Sequence, residues 1–156
     1  MQCHAVTHGS FSIERVYPAS PARVFAAWAS TEMKARWFIG PEKWVLIERH
    51  LDFRVGGEEL LRGRYEQTET LFEARYYDIV PDQRIVFAYD MHAGGRHHSL
   101  SVAAVEIEPE VGPGGSGARL LFTEQVMFLD GTVGIDGTAS RERGTADHLD
   151  RLARLF

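Results

Sequence analysis

The spacing of apolar residues changes twice along the chain. In Pro21–Ala29 and Thr31–Phe38 apolar side chains recur at steps of three and four, which predicts two short helices. From Trp44 to Phe128 they fall into short β-rich runs between turn residues, which indicates an antiparallel meander. Helical spacing returns over Ala139–Phe156, where Leu149, Leu152, Ala153 and Phe156 form an apolar stripe that predicts a helix packed on a sheet.

The β-rich region divides into six strands, and a seventh precedes the helices. Turn sequences such as Gly56-Gly57 and Gly94-Gly95 separate the runs, and the Gly- and Pro-rich stretch 109–117 is predicted as a long hairpin tip. This α+β order predicts a curved antiparallel seven-stranded sheet wrapped around a long C-terminal helix. One helix does not fill the concave side of such a sheet, so we expect a ligand cavity there. The predicted strands are 11–17, 43–53, 58–67, 70–80, 84–91, 97–108 and 118–128.

Composition is typical of one domain. The chain has 156 residues, of which 44% are hydrophobic, enough for a core that needs no disulfide, metal or obligate partner. We divide it into a flexible leader, residues 1–10, and a single domain, residues 11–156. Cys3 is the one cysteine, so the sequence provides neither a disulfide framework nor a cysteine-based zinc site. We expect no cofactor and no metal.

The charge and hydropathy of the chain limit the kinds of binding partner and the cellular location that we expect. The chain has 17 basic and 22 acidic residues, a net charge of −5, and its arginines are scattered, which argues against a nucleic-acid-binding face. No apolar run approaches the roughly 20 residues of a membrane span, and the first residues lack the pattern of a secretion signal. We therefore expect a cytoplasmic protein. A homodimer is left open, because the sheet has edge strands to protect.

Several motifs carry a resemblance to a known superfamily. The sequence Pro-x-x-Val-Phe-x-x-Trp runs from Pro21 to Trp28, Trp37 follows, and a double glycine stands at Gly56-Gly57. With the C-terminal GTADHLDRLARLF, these residues resemble the SRPBCC superfamily, which has the helix-grip or START-type fold of the birch-pollen allergen and of polyketide cyclases. Over residues 11–156 the chain is most similar to the family named after the C-terminal domain of the activator of the heat-shock-protein-90 ATPase.

The chain departs from that family at two places. It has Arg54-Val55-Gly56-Gly57 where many relatives have Arg-Pro-Gly-Gly, and Gly144-Thr145 where many have Gly-Trp. The second change removes an aromatic ring that would pack against the sheet or the cavity. The superfamily includes lipid carriers, cyclases, hydrolase-like proteins and chaperone partners, so the resemblance implies the fold and leaves the activity open.

Alternation along the strands selects candidate pocket residues. Ile85, Phe87, Tyr89 and Met91 share one face of their strand, and Glu124 interrupts the apolar face of the last strand. In the strand between them, Leu100, Val102 and Ala104 share a face with His98. Together with aromatic residues of the second helix and of strand 70–80, these faces define the candidate ligand-pocket residues Trp37, Phe72, Tyr76, Phe87, Tyr89, Met91, His98, Phe122 and Glu124.

Two alternatives to this pocket stay open. In the opposite register the inward residues would be Ser99, Ser101, Thr123 and Gln125. Alternatively, Glu124 is tied to a nearby arginine in a structural ion pair. A metal site at His97-His98 is disfavoured, because adjacent residues of a strand point to opposite faces.

No catalytic motif such as G-x-S-x-G or H-E-x-x-H is present, so whether the protein is an enzyme is left open. The leading hypothesis is that it binds a small, mainly apolar ligand between the sheet and the C-terminal helix. One alternative is a polyketide-cyclase-like or hydrolase-like enzyme in which Glu124 and His98 would act as acid and base on an apolar or aromatic compound. The other is a chaperone-interaction module, which a narrow, dry cavity would favour. The ligand hypothesis predicts a cavity of about 300–1,000 Å³.

Overall fold

A computed structural model describes residues 4–112 and 115–156. All seven strands form one antiparallel sheet in the order β1-β7-β6-β5-β4-β3-β2, and it curves around the C-terminal helix. The predicted α+β helix-grip architecture is confirmed. The elements are β1 (Thr7–Tyr17), α1 (Pro21–Ala29), α2 (Thr31–Trp37), β2 (Val45–Leu51), β3 (Glu58–Tyr65), β4 (Thr68–Val80), β5 (Arg84–Ala93), β6 (Arg96–Gly112), β7 (Gly115–Phe128) and α3 (Gly134–Ala153).

The two short helices begin at serine caps. The Ser20 hydroxyl accepts a hydrogen bond from the backbone N–H of Arg23, and Pro21 occupies the first helical position. Ser30 caps α2 in the same way through the N–H of Met33. Because α1 buries Trp28 and α2 buries Trp37, with ring centroids 4.6 Å apart, the two helices pack as one unit.

The largest differences from the predicted strand bounds lie at the start of β1 and at the hairpin between β6 and β7. The strand β1 begins at Thr7, so residues 7–10 of the predicted leader belong to the sheet, where Thr7 lies opposite Phe128. Their polar sequence did not indicate a strand, because it is the main chain of these residues that pairs with the long strand β7. The predicted tip 109–117 is also shorter, because β6 continues to Gly112 and β7 begins at Gly115. Residues 1–3 and 113–114 lie outside the described residues.

The helix α3 begins five residues before the predicted Ala139, at Gly134. Gly137, one of the glycines that indicated a loop, serves packing instead, since it is buried and a Cβ there would meet the Phe128 ring. Leu149 and Leu152 are fully buried as the stripe predicts, but Ala153 is exposed. No helix in the described part of the chain is long and apolar enough to cross a membrane.

The last two residues are expected to stabilise the fold. Leu155 and Phe156 are half-buried against the core, and the Phe156 ring lies 5.6 Å from that of Tyr17. Deleting both should lower the free energy of unfolding by about 2 kcal/mol, the low end for loss of a large apolar side chain, because neither is fully buried. Chemical denaturation measures this change. Ile135→Ala in the same helix is the control, since Ile135 is 84% exposed, and equal effects would contradict the prediction.

Candidate functional site

A cavity of about 730 Å³ lies between the concave face of the sheet and the helices α2 and α3. Its volume falls in the range expected for a small-molecule site. All three tryptophans, Trp28, Trp37 and Trp44, line it. A second depression of about 500 Å³ adjoins it and shares Trp44, but it lies outside the aromatic core, so we take the larger cavity as the candidate site.

The structure brings eight of the nine candidate pocket residues to this cavity. The exception is Tyr76, which is buried with its hydroxyl hydrogen-bonded to Glu59. The eight that line the cavity are Trp37, Phe72, Phe87, Tyr89, Met91, His98, Phe122 and Glu124.

The face of β6 that points inward is opposite to the one that the alternation of apolar residues predicted. Ser99 and Ser101 are buried, whereas Leu100 and Val102 are 42% and 51% exposed on the outer face. A β-bulge explains why His98 still reaches the cavity. Met91 pairs with Ser99 and the next residue of β5 pairs with His97, so His98 is the extra residue.

Glu124 is held in an ion pair with an arginine that the sequence analysis did not select. Its Oε2 atom accepts hydrogen bonds from the Tyr89 hydroxyl at 2.6 Å, the Ser101 hydroxyl at 2.7 Å and Arg141 Nη1 at 3.2 Å. Arg141 also donates to the Ser99 hydroxyl at 2.6 Å. The alternative in which Glu124 is tied to an arginine is therefore the observed one. The inward serines hold this pair, which is why they replace apolar residues on that face.

A second cluster of buried polar side chains is centred on Lys34. Lys34 Nζ lies 2.6 Å from Glu59 Oε1 and 3.2 Å from the Tyr76 hydroxyl, which itself donates to Glu59 Oε1 at 2.6 Å. The Lys34 and Glu59 side chains are only 4% and 3% exposed. Burial lowers the pKa of the Lys34 ammonium, although Glu59 opposes the shift. Sequence analysis missed Lys34, but its place three residues before Trp37 puts it on the buried face of α2.

His98 does not join Glu124. Its Nδ1 atom lies 2.7 Å from Asp130 Oδ2, and Asp130 also accepts a hydrogen bond from the Thr132 hydroxyl. The acid–base pair of the enzyme hypothesis is therefore not assembled in this geometry. Among residues 4–112 and 115–156, no group of three histidine, cysteine or acidic side chains is arranged to hold a metal ion.

Two buried polar atoms of the cavity residues lack hydrogen-bond partners in the described part of the chain. They are Glu124 Oε1, an acceptor, and Trp28 Nε1, a donor. A buried polar atom without a partner costs about 1–3 kcal/mol, so a bound molecule that pairs with either atom recovers that free energy. The aromatic lining of the cavity suits a mainly apolar molecule.

The protein is expected to lose stability in acid because of His148, which lies on the cavity side of α3. Burial lowers the pKa of its imidazole to about 4, and its Nε2 lies 3.1 Å from the Ile39 carbonyl. The unfolded chain binds a proton at the ordinary histidine pKa of about 6.5, whereas the folded protein binds it only near pH 4. The stability that neutral His148 contributes is therefore lost as the pH falls from 6.5 to 4. The slope approaches about 1.4 kcal/mol per pH unit.

His148→Gln, which keeps an N–H donor, should flatten this dependence. The measurement is the free energy of unfolding at pH 7 and at pH 4.5. The same change at the exposed His50 is the matched control and should leave the slope as in the wild type. Parallel slopes for the wild type and His148→Gln would contradict the prediction.

The curved sheet, the C-terminal helix and the cavity between them define a helix-grip protein. The chain belongs to the family described as Activator of Hsp90 ATPase homolog 1-like protein, which it matches over residues 18–156. The resemblance found in the sequence is thereby confirmed. No curated protein matches the chain.

Solved structures agree with this assignment. The Mll3558 protein of Rhizobium loti is 43% identical, with a TM-score of 0.85, and the match covers 98% of this chain and 100% of that one. A protein from Rhizobium leguminosarum is 39% identical over 96% of this chain and 94% of its own, also with a TM-score of 0.85. DynU16, a protein of the dynemicin biosynthetic locus, is 17% identical over 93% of this chain and 46% of its own; its TM-score of 0.65 shows a shared fold.

Proposed function

We propose that the protein binds one small, mainly apolar molecule in the cavity between the sheet and α3. The observation that carries this proposal is a cavity of about 730 Å³ with an aromatic wall and two unpartnered buried polar atoms. Its size argues against the narrow, dry interior that would favour a chaperone-interaction module. The proposed ligand has a flat apolar body, which stacks on the rings, and a hydroxyl group, which donates to Glu124 Oε1. A cytoplasmic location and a homodimer stay predictions.

Fluorescence titration tests this proposal. N-phenyl-1-naphthylamine, a neutral apolar dye, should bind with a stoichiometry of one per chain and gain fluorescence. 2-Naphthol has a hydroxyl group where 2-methylnaphthalene has a methyl group, so 2-naphthol should displace the dye at the lower concentration if the hydroxyl pairs with Glu124. Absence of saturable dye binding would overturn the proposal. Equal displacement by the two compounds would overturn the role of the hydroxyl.

Variants at Gly144 test whether the bound molecule lies in the cavity. Gly144 borders the cavity in α3, and a Cβ there would meet no atom within 4 Å. Gly144→Phe should fill part of the cavity and weaken dye binding at least tenfold, which corresponds to about 1.4 kcal/mol. Gly144→Ala is the matched control, which should bind the dye as the wild type does and gain about 0.5–1 kcal/mol of stability from helix propensity. Equal dye affinity in the two variants would show that the dye binds elsewhere.

A further inference from the structure

The chain uses lysine at only two positions. Lys34 and Lys43 are the lysines among 17 basic residues, and all the others are arginines. A guanidinium stays protonated in proteins, whereas a lysine amine can lose its proton and become a nucleophile when it is buried. Lys43 is exposed, but Lys34 lies in the wall of the cavity. The chain therefore places one of its two lysines in the wall of the candidate cavity.

The surroundings of Lys34 fit an amine that reacts. Its Nζ atom lies 5.0–6.0 Å from the centroids of four aromatic rings, of which Trp28, Trp37 and Phe38 line the cavity. Glu59 at 2.6 Å can take up the ammonium proton, and the Tyr76 hydroxyl lies 3.2 Å away. Burial lowers the pKa of Lys34, which increases the neutral fraction of the amine. An amine, a proton acceptor and an apolar enclosure are thus assembled at one point of the wall.

We propose that Lys34 binds the carbonyl group of an apolar aldehyde or ketone covalently, as a protonated imine paired with Glu59. This inference rests on the proposed cavity function and adds the chemical class of the ligand. The polar group around Glu124 lies further along the same wall, since the Phe87 ring is 5.9 Å from that of Tyr76 and 6.0 Å from that of Tyr89. We therefore expect a flat ligand with a carbonyl at one end and a hydroxyl at the other.

The reaction needs no additional reactant. Glu59 accepts a proton from the Lys34 ammonium. The neutral amine attacks the carbonyl carbon, and one of its two protons passes to the carbonyl oxygen to form a carbinolamine. Protonation of its hydroxyl by Glu59 lets that oxygen leave as water while the C=N bond forms. The nitrogen keeps its second proton, so the product is an iminium ion. Glu59 is then again a carboxylate beside a cation, and the buried ion pair is preserved.

Reductive trapping tests the proposal in the intact 156-residue chain. The probe is 6-hydroxy-2-naphthaldehyde with sodium cyanoborohydride at pH 7, and mass spectrometry of the intact chain and of its peptides locates the adduct. We expect one adduct per chain at Lys34, at least about tenfold more than at Lys43, because the cavity holds the probe beside Lys34 and raises its effective concentration there. An excess of 2-naphthol, which lacks the carbonyl, should suppress labelling at Lys34 and leave Lys43 unaffected.

Two matched variants complete the experiment. Lys34→Arg keeps the charge beside Glu59 and should abolish the major adduct, whereas Lys43→Arg should leave it unchanged. If Lys34→Arg does not fold, the comparison of Lys34 with Lys43 inside the wild-type protein still decides the question. Adducts confined to Lys43 and the α-amino group, in protein that binds N-phenyl-1-naphthylamine, would overturn the imine and leave the proposed function standing. Labelling of Lys34 that 2-naphthol does not suppress would also overturn the imine. Absence of dye binding by the wild type would overturn both the imine and the proposed function.

Discussion

Glu59→Gln is expected to lower the free energy of unfolding by about 3–5 kcal/mol at pH 7. The Lys34 and Glu59 side chains are 4% and 3% exposed, so water does not replace the lost carboxylate. The variant leaves the ammonium of Lys34 buried without a counter-charge, and the Tyr76 hydroxyl exchanges a charged acceptor for a neutral one. Urea denaturation of the wild type and the variant measures the difference.

The size of this loss should depend on pH. In Glu59→Gln nothing opposes the burial that lowers the pKa of Lys34, so folded Lys34 is neutral over a pH range in which unfolded Lys34 is still protonated. The unfolded chain binds more protons there, so the stability of the variant rises with pH. The deficit relative to the wild type should be largest near neutral pH and shrink towards the ordinary lysine pKa of about 10.4.

The neighbouring residue provides a matched control. Glu58 pairs with Arg75 at 2.9 Å, but these side chains are 66% and 56% exposed, so Glu58→Gln should change the stability by less than about 1 kcal/mol. The double variant Lys34→Met with Glu59→Gln removes the unpaired charge and should recover part of the loss. If Glu59→Gln and Glu58→Gln had equal effects, the buried pair would not stabilise the fold.

The architecture was predictable because it depends on features that are local in sequence. Ser20 with Pro21 begins a helix by its own chemistry, and turn residues separate strands whose apolar residues alternate. The order of elements then leaves few ways to cover one face of a sheet. Thr7 was missed because its pairing with Phe128 is set by the length of a distant strand and not by its own neighbours.

The polar groups of the site were predicted less completely, for a physical reason. A pattern of apolar residues cannot show a charge that is buried by pairing with a residue from another element. Lys34 meets Glu59 25 residues along the chain, and Arg141 meets Glu124 17 residues away, so neither pair leaves a local pattern. The bulge at His98 likewise arises from the pairing of two strands and shifts the register that alternation alone assigns.

Glu124→Gln is expected to destabilise the protein by about 3 kcal/mol at neutral pH. The Glu124 side chain is fully buried and that of Arg141 is 14% exposed, so removing the carboxylate charge leaves a nearly buried guanidinium without its counter-charge. The hydrogen bonds from the Tyr89 and Ser101 hydroxyls lose their charged acceptor as well. Chemical denaturation at pH 7 gives the magnitude.

A double-mutant cycle separates the ion pair from other effects of the substitution. Arg141→Met alone leaves a buried carboxylate without its cation and should cost as much as Glu124→Gln, but the double variant should lose clearly less than the two single losses added, with a coupling of about 0.5–3 kcal/mol. Arg143→Met, at an exposed position two residues along α3, is the matched control and should stay within about 0.5 kcal/mol of the wild type. A carboxylate without a cationic partner behaves in the opposite way, because neutralising it relieves an unfavourable burial. An unchanged or higher stability of Glu124→Gln would therefore contradict the ion pair with Arg141 and restore Glu124 as a free acid–base group of the cavity.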